Sequence, residues 1–328
     1  MDKLKLADTA SLFKEFDIRL TDEDLQRYLE FPDTTRIIAA ESLVERAKQQ
    51  LAFGIGNTPG LRLPWPEIES DVRITPGTLA IWSGLTHHGK SQMLKQVMLG
   101  AISQGEKVCF ASLEENVLQL FVNMGQMGCG TQEPGLRQFM GFVDFCVKKL
   151  WFYDHEGIIS GKRMGQVIRW CAAEKGVTQF IVDSLMLVSV SKGYDKFSGH
   201  VDFVAELKAI AKETGCTIHL VAHNKKPQGK ASEAESGGIH DISGGHEIAS
   251  MADYVFSVWR NKKTAGERGP SERAAKLIVE KQRGQFNWIG TFPLDFHFTS
   301  RQFVRGYESM KFWEPRIREP GEDLMVEF

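Results

Sequence analysis

The chain has 328 residues, 42% hydrophobic and 25% charged, with a formal net charge of −2; this length allows one large α/β domain with an appendage or two modest domains. No apolar run is long enough to span a bilayer and no signal-peptide pattern follows the opening MDKLKLADTA, so a cytoplasmic protein without a membrane partner is expected. The five cysteines (Cys109, Cys129, Cys146, Cys171, Cys216) never form C-x-x-C, which argues against a disulfide framework or structural zinc, and the near-neutral charge leaves any nucleic acid to a local basic surface.

Residues 1–72 are charged and contain no glycine before Gly54. Thr21 and Asp24 read as the cap and first turn of a helix, and Ile37–Phe53 as an amphipathic helix that covers either this chain's own core or a neighbouring subunit. Gly54–Pro66 (GIGNTPGLRLPWP) reads as a turn-rich linker. A domain that alternates strands with helices then starts near Asp71, and alternation of that kind predicts a mostly parallel sheet covered on both faces.

The stretch TLAIWSGLTHHGKS, Thr78–Ser91, is a P-loop: Gly84, Gly89, Lys90 and Ser91 fill the places of G-x-x-x-x-G-K-[ST]. The glycines let backbone N–H groups point at phosphate oxygens. Lys90 reaches the β- and γ-phosphates and Ser91 offers a hydroxyl to Mg²⁺. The turn lies between a buried strand at Leu79–Trp82 and helical spacing over Gln92–Ile102, so Gly84, Leu85, Thr86, His87, His88, Gly89, Lys90, Ser91 and Gln92 form the expected nucleotide cradle at a helix N-terminus.

Lys107–Leu113 is a second strand. Ser112 and Glu115 have capping-box spacing for the helix that follows, which leaves Glu114 free to act above the strand end. Leu150–Tyr153 reads as a strand, Met164–Lys175 as a helix and Gln179–Leu187 (QFIVDSLML) as a strand. The lone acid of that last run, Asp183, has the Walker B arrangement, an aspartate placed to hold Mg²⁺ opposite Ser91. Val190–His200 is a polar loop. A helix from Val201 to Thr214 leads into the strand Thr217–Ala222, which delivers His223 and Asn224. A polar, glycine-rich segment over Lys225–Gly245, a short helix through Ala252, strands at Tyr254–Trp259 and Ala275–Glu280 and a hairpin over Trp288–Val304 complete the series. Basic residues follow two successive strands, Arg260–Lys263 and Lys281–Arg283, either as solvated surface or as phosphate contacts.

The P-loop, ASLEEN, IVDS, LVAHNKK, DISGGHEIASMADYVFSVWRN and EKQRGQFNWIGTFPLDF, in that order, resemble the ring helicases of the DnaB-like and Twinkle-like group, including phage primase-helicases, over about residues 60–305. The resemblance implies a RecA-like P-loop NTPase core of α/β class beside a small helical N-terminal segment. It implies a homo-hexameric ring that hydrolyses ATP or a dNTP, dTTP among them, with Mg²⁺ at subunit interfaces while moving along single-stranded DNA. Glu114 becomes the base that activates water and His223 the γ-phosphate sensor; Lys281 and Arg283 reach into the neighbouring subunit's site. Arg260 and Phe296 flank the nucleotide base. Lys192 and Lys196 in one loop, and Lys225, Lys226, Lys230, Ser243 and Gly244 in the other, grip the DNA backbone in the channel.

Ser243 and Ser250 depart from the arginine and glutamine usual in DnaB-like members, and glycine- and serine-rich versions resemble the Twinkle-like branch. The expected layout is a helical N-terminal segment and linker over 1–66, the NTPase domain over 67–308 and an acidic tail over 309–328. With no fused primase in view, a stand-alone phage-type helicase is expected. Its acidic end, EPGEDLMVEF, is either a docking tail for a primase, polymerase or single-strand-binding partner, or a disordered end. A RecA- or RadA-like filament-forming recombinase and a regulatory or packaging P-loop ATPase are the alternative classes. Rings against filaments separate the first of these, and indifference of hydrolysis to DNA marks the second.

Overall fold

A computed structural model of the chain describes residues 20–28, 40–44, 47–48, 59–155, 157–189, 196–224, 245–261, 274–284, 286–306 and 308–313. The chain divides into two compact units, Met1–Thr35 and Arg36–Phe328. In the first, α1 (Asp22–Gln26) starts as its residues dictate, with Thr21 accepting from the Asp24 N–H while the Asp24 carboxylate accepts from the Thr21 N–H in a reciprocal capping box. The amphipathic helix expected over Ile37–Phe53 lies largely outside the described residues, and within it Ala40–Leu43 is a 3₁₀ turn. The acidic tail beyond Trp313 also lies outside them.

In chain order the second unit runs β1 (Leu61–Arg62), β2 (Arg73–Ile74), β3 (Leu79–Ser83), α2 (Lys90–Ser103), β4 (Val108–Ser112), α3 (Val117–Cys129), α4 (Leu136–Cys146), β5 (Leu150–Asp154), β6 (Ile159–Ser160) and α5 (Gly161–Trp170). It continues with β7 (Gln179–Asp183), β8 (Val188–Ser189), α6 (Lys196–Thr214), β9 (Thr217–Val221), α7 (Gly245–Met251), β10 (Tyr254–Arg260), β11 (Ala274–Gln282), β12 (Gly290–His297) and β13 (Gln302–Val304). Nine strands form one sheet in the order β13-β12-β11-β10-β3-β9-β7-β4-β5. From β10 to β5 every pair is parallel, and β11, β12 and β13 add antiparallel strands on the other side. The expected α/β core with a mostly parallel sheet is therefore what forms. β3, β4 and β9 are buried at every position, as strands covered on both faces must be, whereas β11 alternates buried and half-buried residues. Among the described residues no helix is long and apolar enough to cross a membrane.

Several local expectations change. The apolar run after β7 does not continue the strand: Leu185–Leu187 closes a 3₁₀ turn and β8 pairs with β6 in a separate two-stranded sheet. An apolar run of that length has no periodicity to separate strand from buried turn. α6 starts at Lys196, inside the stretch read as polar loop, and α5 passes into a π-helical turn at Cys171–Lys175. The stretch read as linker supplies Leu61, Leu63 and Trp65 to the core, where Trp65 Nε1 donates to the Phe303 carbonyl at 2.8 Å.

The capping box at Ser112 and Glu115 does not form. Ser112 Oγ accepts from the Glu115 N–H (3.2 Å) and donates to the Glu115 carbonyl (2.8 Å), and Asn116 caps α3 by accepting from the N–H groups of Leu118 and Gln119. The Glu115 carboxylate is committed elsewhere, to Lys95 Nζ at 2.5 Å and Asn123 Nδ2 at 2.6 Å. Lys95 is buried, and a buried ammonium needs a counter-charge more than a helix end needs a second cap. The α3–α4 hairpin was not read from the sequence beyond a helix after Glu115. It is held by Phe121, Phe139 and Phe142, and Trp313 stacks on Phe145 at 4.9 Å between ring centroids.

Candidate active site

The parallel register brings the carboxyl ends of the central strands to one level: Ser83 pairs with Ser257, Trp82 with Val221, Val182 with Leu220 and Ser112 with Asp183. Three backbone bonds then hold the residues that leave those ends. Leu113 N–H donates to the Asp183 carbonyl (2.8 Å), Ala222 N–H to that of Trp82 (3.0 Å) and Asn224 N–H to that of Gly84 (3.2 Å). Glu114, Asp183 and His223 are therefore neighbours of the P-loop because strands distant in sequence stop together, in the crevice where an open α/β sheet binds ligands.

In the P-loop, Gly84 has φ 142° and its missing Cβ would lie 2.5 Å from the Val258 carbonyl oxygen, so a side chain has no room there. Gly89 caps α2 in the left-handed region without a side-chain cap, and no acid lies in the first turn. The amides of that turn suit an anion. Lys90 is buried, and its Nζ donates to the carbonyls of Gly84 (3.0 Å) and Leu85 (3.1 Å) and to His223 Nδ1 at 3.3 Å. Of the intervening residues, Thr86 and His87 are exposed, whereas His88 is buried with Nδ1 accepting from the Arg260 N–H at 3.2 Å. His88 thus fastens the loop to β10. Gln92 Nε2 donates to the Arg301 carbonyl at 2.7 Å.

Around this cradle the acids are differentiated. Glu114 Oε1 lies 3.5 Å from His223 Nε2 and accepts a short hydrogen bond from Ser184 Oγ. The hydrogen bond from His223 holds the Glu114 carboxyl down at about 2 against the opposing effect of burial, with Ser184 and Lys90 adding to it. Burial pushes Asp183 the other way, above its ordinary value, partly offset by a hydrogen bond from Ser91. A carboxylate desolvated beside a hydroxyl suits a hard divalent cation, whose charge would restore the ionised form. Among the described residues no group of three or more His, Cys, Asp or Glu side chains could hold a metal ion; Mg²⁺ bound through one carboxylate, one hydroxyl and substrate phosphates requires none. Ser184 escaped sequence reading. Its only signal was its place directly after the strand-end aspartate.

The remaining expected residues lie apart from this cluster. Arg260 and Phe296 lie on the P-loop side, where the guanidinium sits 4.2 Å from the Phe296 ring centroid and burial lowers its pKa. They stack on one another, not on opposite walls of a gap, and Phe296 is buried against Phe303 and Phe298. A base would have to part them or stack on the outer face of Arg260. Arg283 lies at the opposite end of the sheet, and Lys281, level with the middle of β3, sends its ammonium toward the same end. Lys281 pairs with Val255, which pairs with Ile81, and Arg283 N–H reaches the Asp253 carbonyl at the start of β10. They do not meet this chain's own P-loop. Lys196 opens α6, and Lys192, Lys225, Lys226, Lys230, Ser243 and Gly244 lie outside the described residues.

The fold is similar to a solved structure described as an ATPase domain, with a TM-score of 0.72 at 14% identity over 82% of this chain and 99% of that one. It is also similar to a structure described as a DnaB-like replicative helicase and its interactions with primase, with a TM-score of 0.66 at 13% identity over 91% of this chain and 75% of that one. The family described as DnaB-like helicase C terminal domain matches residues 73–305, a span that takes in the whole crevice from the P-loop to the final hairpin, and the chain therefore belongs to the DnaB-like helicases.

Proposed function

We propose that this DnaB-like replicative helicase hydrolyses a nucleoside triphosphate in the crevice above β3, β4, β7 and β9 and that each site is completed by an adjacent copy of the chain in a ring around single-stranded DNA. Lys90 and the first amides of α2 take the phosphates. Glu114, ionised and oriented by His223 and Ser184, accepts the proton of the attacking water. Ser91 and Asp183 would hold Mg²⁺, which would neutralise phosphate charge there. His223 touches both Lys90 and Glu114, so a shift of Lys90 toward a phosphate is felt at the base; this is what a γ-phosphate sensor requires.

The observation that carries the assembly is the separation of the basic pair from the pocket of its own chain. Arg283 is level with Leu79, four residues before Ser83, which puts it roughly 13 Å from the P-loop along the strand. On this reading Lys281 and Arg283 serve another subunit's site, and hydrolysis is gated by contact between copies. ATP and dTTP are the nucleotides of choice to assay. The test is Mg²⁺-dependent turnover measured against protein concentration, with and without single-stranded oligonucleotide. Turnover per subunit should rise with concentration and with DNA, and Lys90→Ala should remove it. A rate per subunit that is constant across dilution in a protein that stays monomeric with nucleotide and DNA would sink the shared-site reading.

A further inference from the structure

The last turn of α7 ends on carbonyls that a helix leaves without internal partners, and three cations converge on them. Lys281 Nζ donates to Ala249 (3.0 Å) and Ser250 (2.7 Å), Arg283 Nη2 to Ser250 (3.1 Å) and Lys208 Nζ to Met251 (2.7 Å). Asp253 follows directly and its carboxylate faces all of this charge. Oδ1 accepts from Lys208 Nζ at 2.7 Å and lies 3.8 Å from Arg283 Nη1. The same residue is clamped to the start of β3, with Oδ2 accepting from the Leu79 N–H (3.1 Å) and its own N–H donating to the Leu79 carbonyl (2.8 Å). Its carbonyl takes the Arg283 N–H at 2.9 Å. Asp253 is mostly shielded, at 14% side-chain exposure, while Arg283 at 54% stands out into solvent.

We propose that Asp253 is a positioning residue for Arg283: anchored on β3, it fixes the base and the guanidinium of the arginine so that the exposed face is presented to the adjacent subunit's site. The proposal rests on reading Arg283 as the group supplied in trans. A cation stabilises a developing phosphoryl charge best when it is held in place beforehand, and an exposed arginine beside two lysines is held more firmly by an anion than by carbonyls alone. Without the Asp253 charge, Lys208 and Lys281 repel Arg283, and among the described residues the α7 carbonyls and the backbone bond are what retain it. The crowding of charge is visible at Lys281, whose pKa falls to about 8 through burial first, then the repulsion of Arg283 and Lys208, against the pull of Asp253.

Asp253→Asn is nearly isosteric and keeps an oxygen for the Leu79 N–H while removing the charge. The experiment measures ATP turnover with single-stranded oligonucleotide, as kcat and KM separately, in Asp253→Asn, Arg283→Ala and the double variant, alongside thermal melting. The expected result is a fall in kcat of about tenfold in Asp253→Asn with KM and melting unchanged, and a double variant no slower than Arg283→Ala alone. Lys208→Met is the control for mere disruption of the cluster: it leaves Asp253 undivided to Arg283, so kcat should hold. Wild-type kcat in Asp253→Asn, losses that multiply in the double variant, or an equal loss in Lys208→Met each overturn the proposal while leaving the trans arginine intact. Normal turnover by Arg283→Ala overturns the trans reading itself, and this proposal with it.

Discussion

His223 is engaged through both ring nitrogens, Nδ1 facing Lys90 and Nε2 facing Glu114. Because an ammonium can only donate, the neutral ring must carry its proton on Nε2 and give it to the carboxylate. Glu114 is therefore ionised throughout the neutral range, and its titration at about 2 cannot produce an acid limb in the rate near neutrality. Glu114→Gln should lower kcat by about 10² or more while nucleotide affinity stays near wild type, which equilibrium binding of a fluorescent nucleotide beside single-turnover hydrolysis would check. A second histidine contributes to the acid sensitivity of the fold. His219, buried in β9 between Trp82 Nε1 (3.1 Å) and Gln179 Oε1 (2.9 Å), is held by burial at about 3 against an ordinary 6.5. Below about 6.5 the unfolded chain takes up a proton there that the folded chain refuses, so stability is lost as pH falls toward about 3, by up to ~1.4 kcal/mol per pH unit from this one group. Urea unfolding at pH 7 and pH 5 should show that slope, and His219→Gln should flatten it whatever it does to the baseline. Lys90 and Asp183 were legible because their chemistry demands a fixed spacing or a charge-free run around them. Ser184 was not, since a serine after a strand has many uses and only the approach of Glu114 gives it this one.

At the scale of elements, the nucleotide helix is tied to the far hairpin by side chains that imitate backbone. Gln96, fully buried in α2, donates to the Phe303 carbonyl and accepts from the Phe303 N–H, both at 2.7 Å, as a neighbouring strand would. Gln92 does the same for the turn at Arg301 with one bond, and Trp65 adds a second donor to Phe303. The P-loop is thus braced from behind by β13. Gln96→Leu would leave the buried Phe303 N–H without an acceptor, at a cost of about 2 kcal/mol or more, and should lower the melting temperature by several degrees. Differential scanning calorimetry without nucleotide would measure it; an unchanged melting point would mean that the brace contributes nothing. This connection spans more than 200 residues of sequence. Helical spacing of Met93, Leu94, Val97 and Met98 marks α2 as a helix, but every residue from Met93 to Ile102 is buried, and nothing in the pattern identifies the strand to which a buried glutamine is bonded.

For the molecule as a whole, the sheet separates two sets of groups, the P-loop with Glu114, Asp183 and His223 at the carboxyl ends of the parallel strands and Arg283 with the Lys281 ammonium toward the amino edge. On the proposed reading, that placement makes hydrolysis depend on contact between subunits. Arg283→Ala should retain nucleotide binding yet lose about 10³-fold in DNA-stimulated turnover. Mixing it with Lys90→Ala subunits should restore part of the rate, because each lacks what the other can supply across an interface; no recovery at any ratio would count against sharing. The sequence by itself determined the class of chemistry and the alternation of strand and helix, because a P-loop, a lone acid on an apolar strand and runs of buried residues are local demands that the chain must meet in place. Which acid is ionised, why His223 and Glu114 meet, that Glu115 neutralises Lys95 and that Arg283 stands with its back to its own pocket were decided only by the tertiary structure. Each of those depends on the order and register of strands far apart in the chain, and on the cost of burying a charge without a partner.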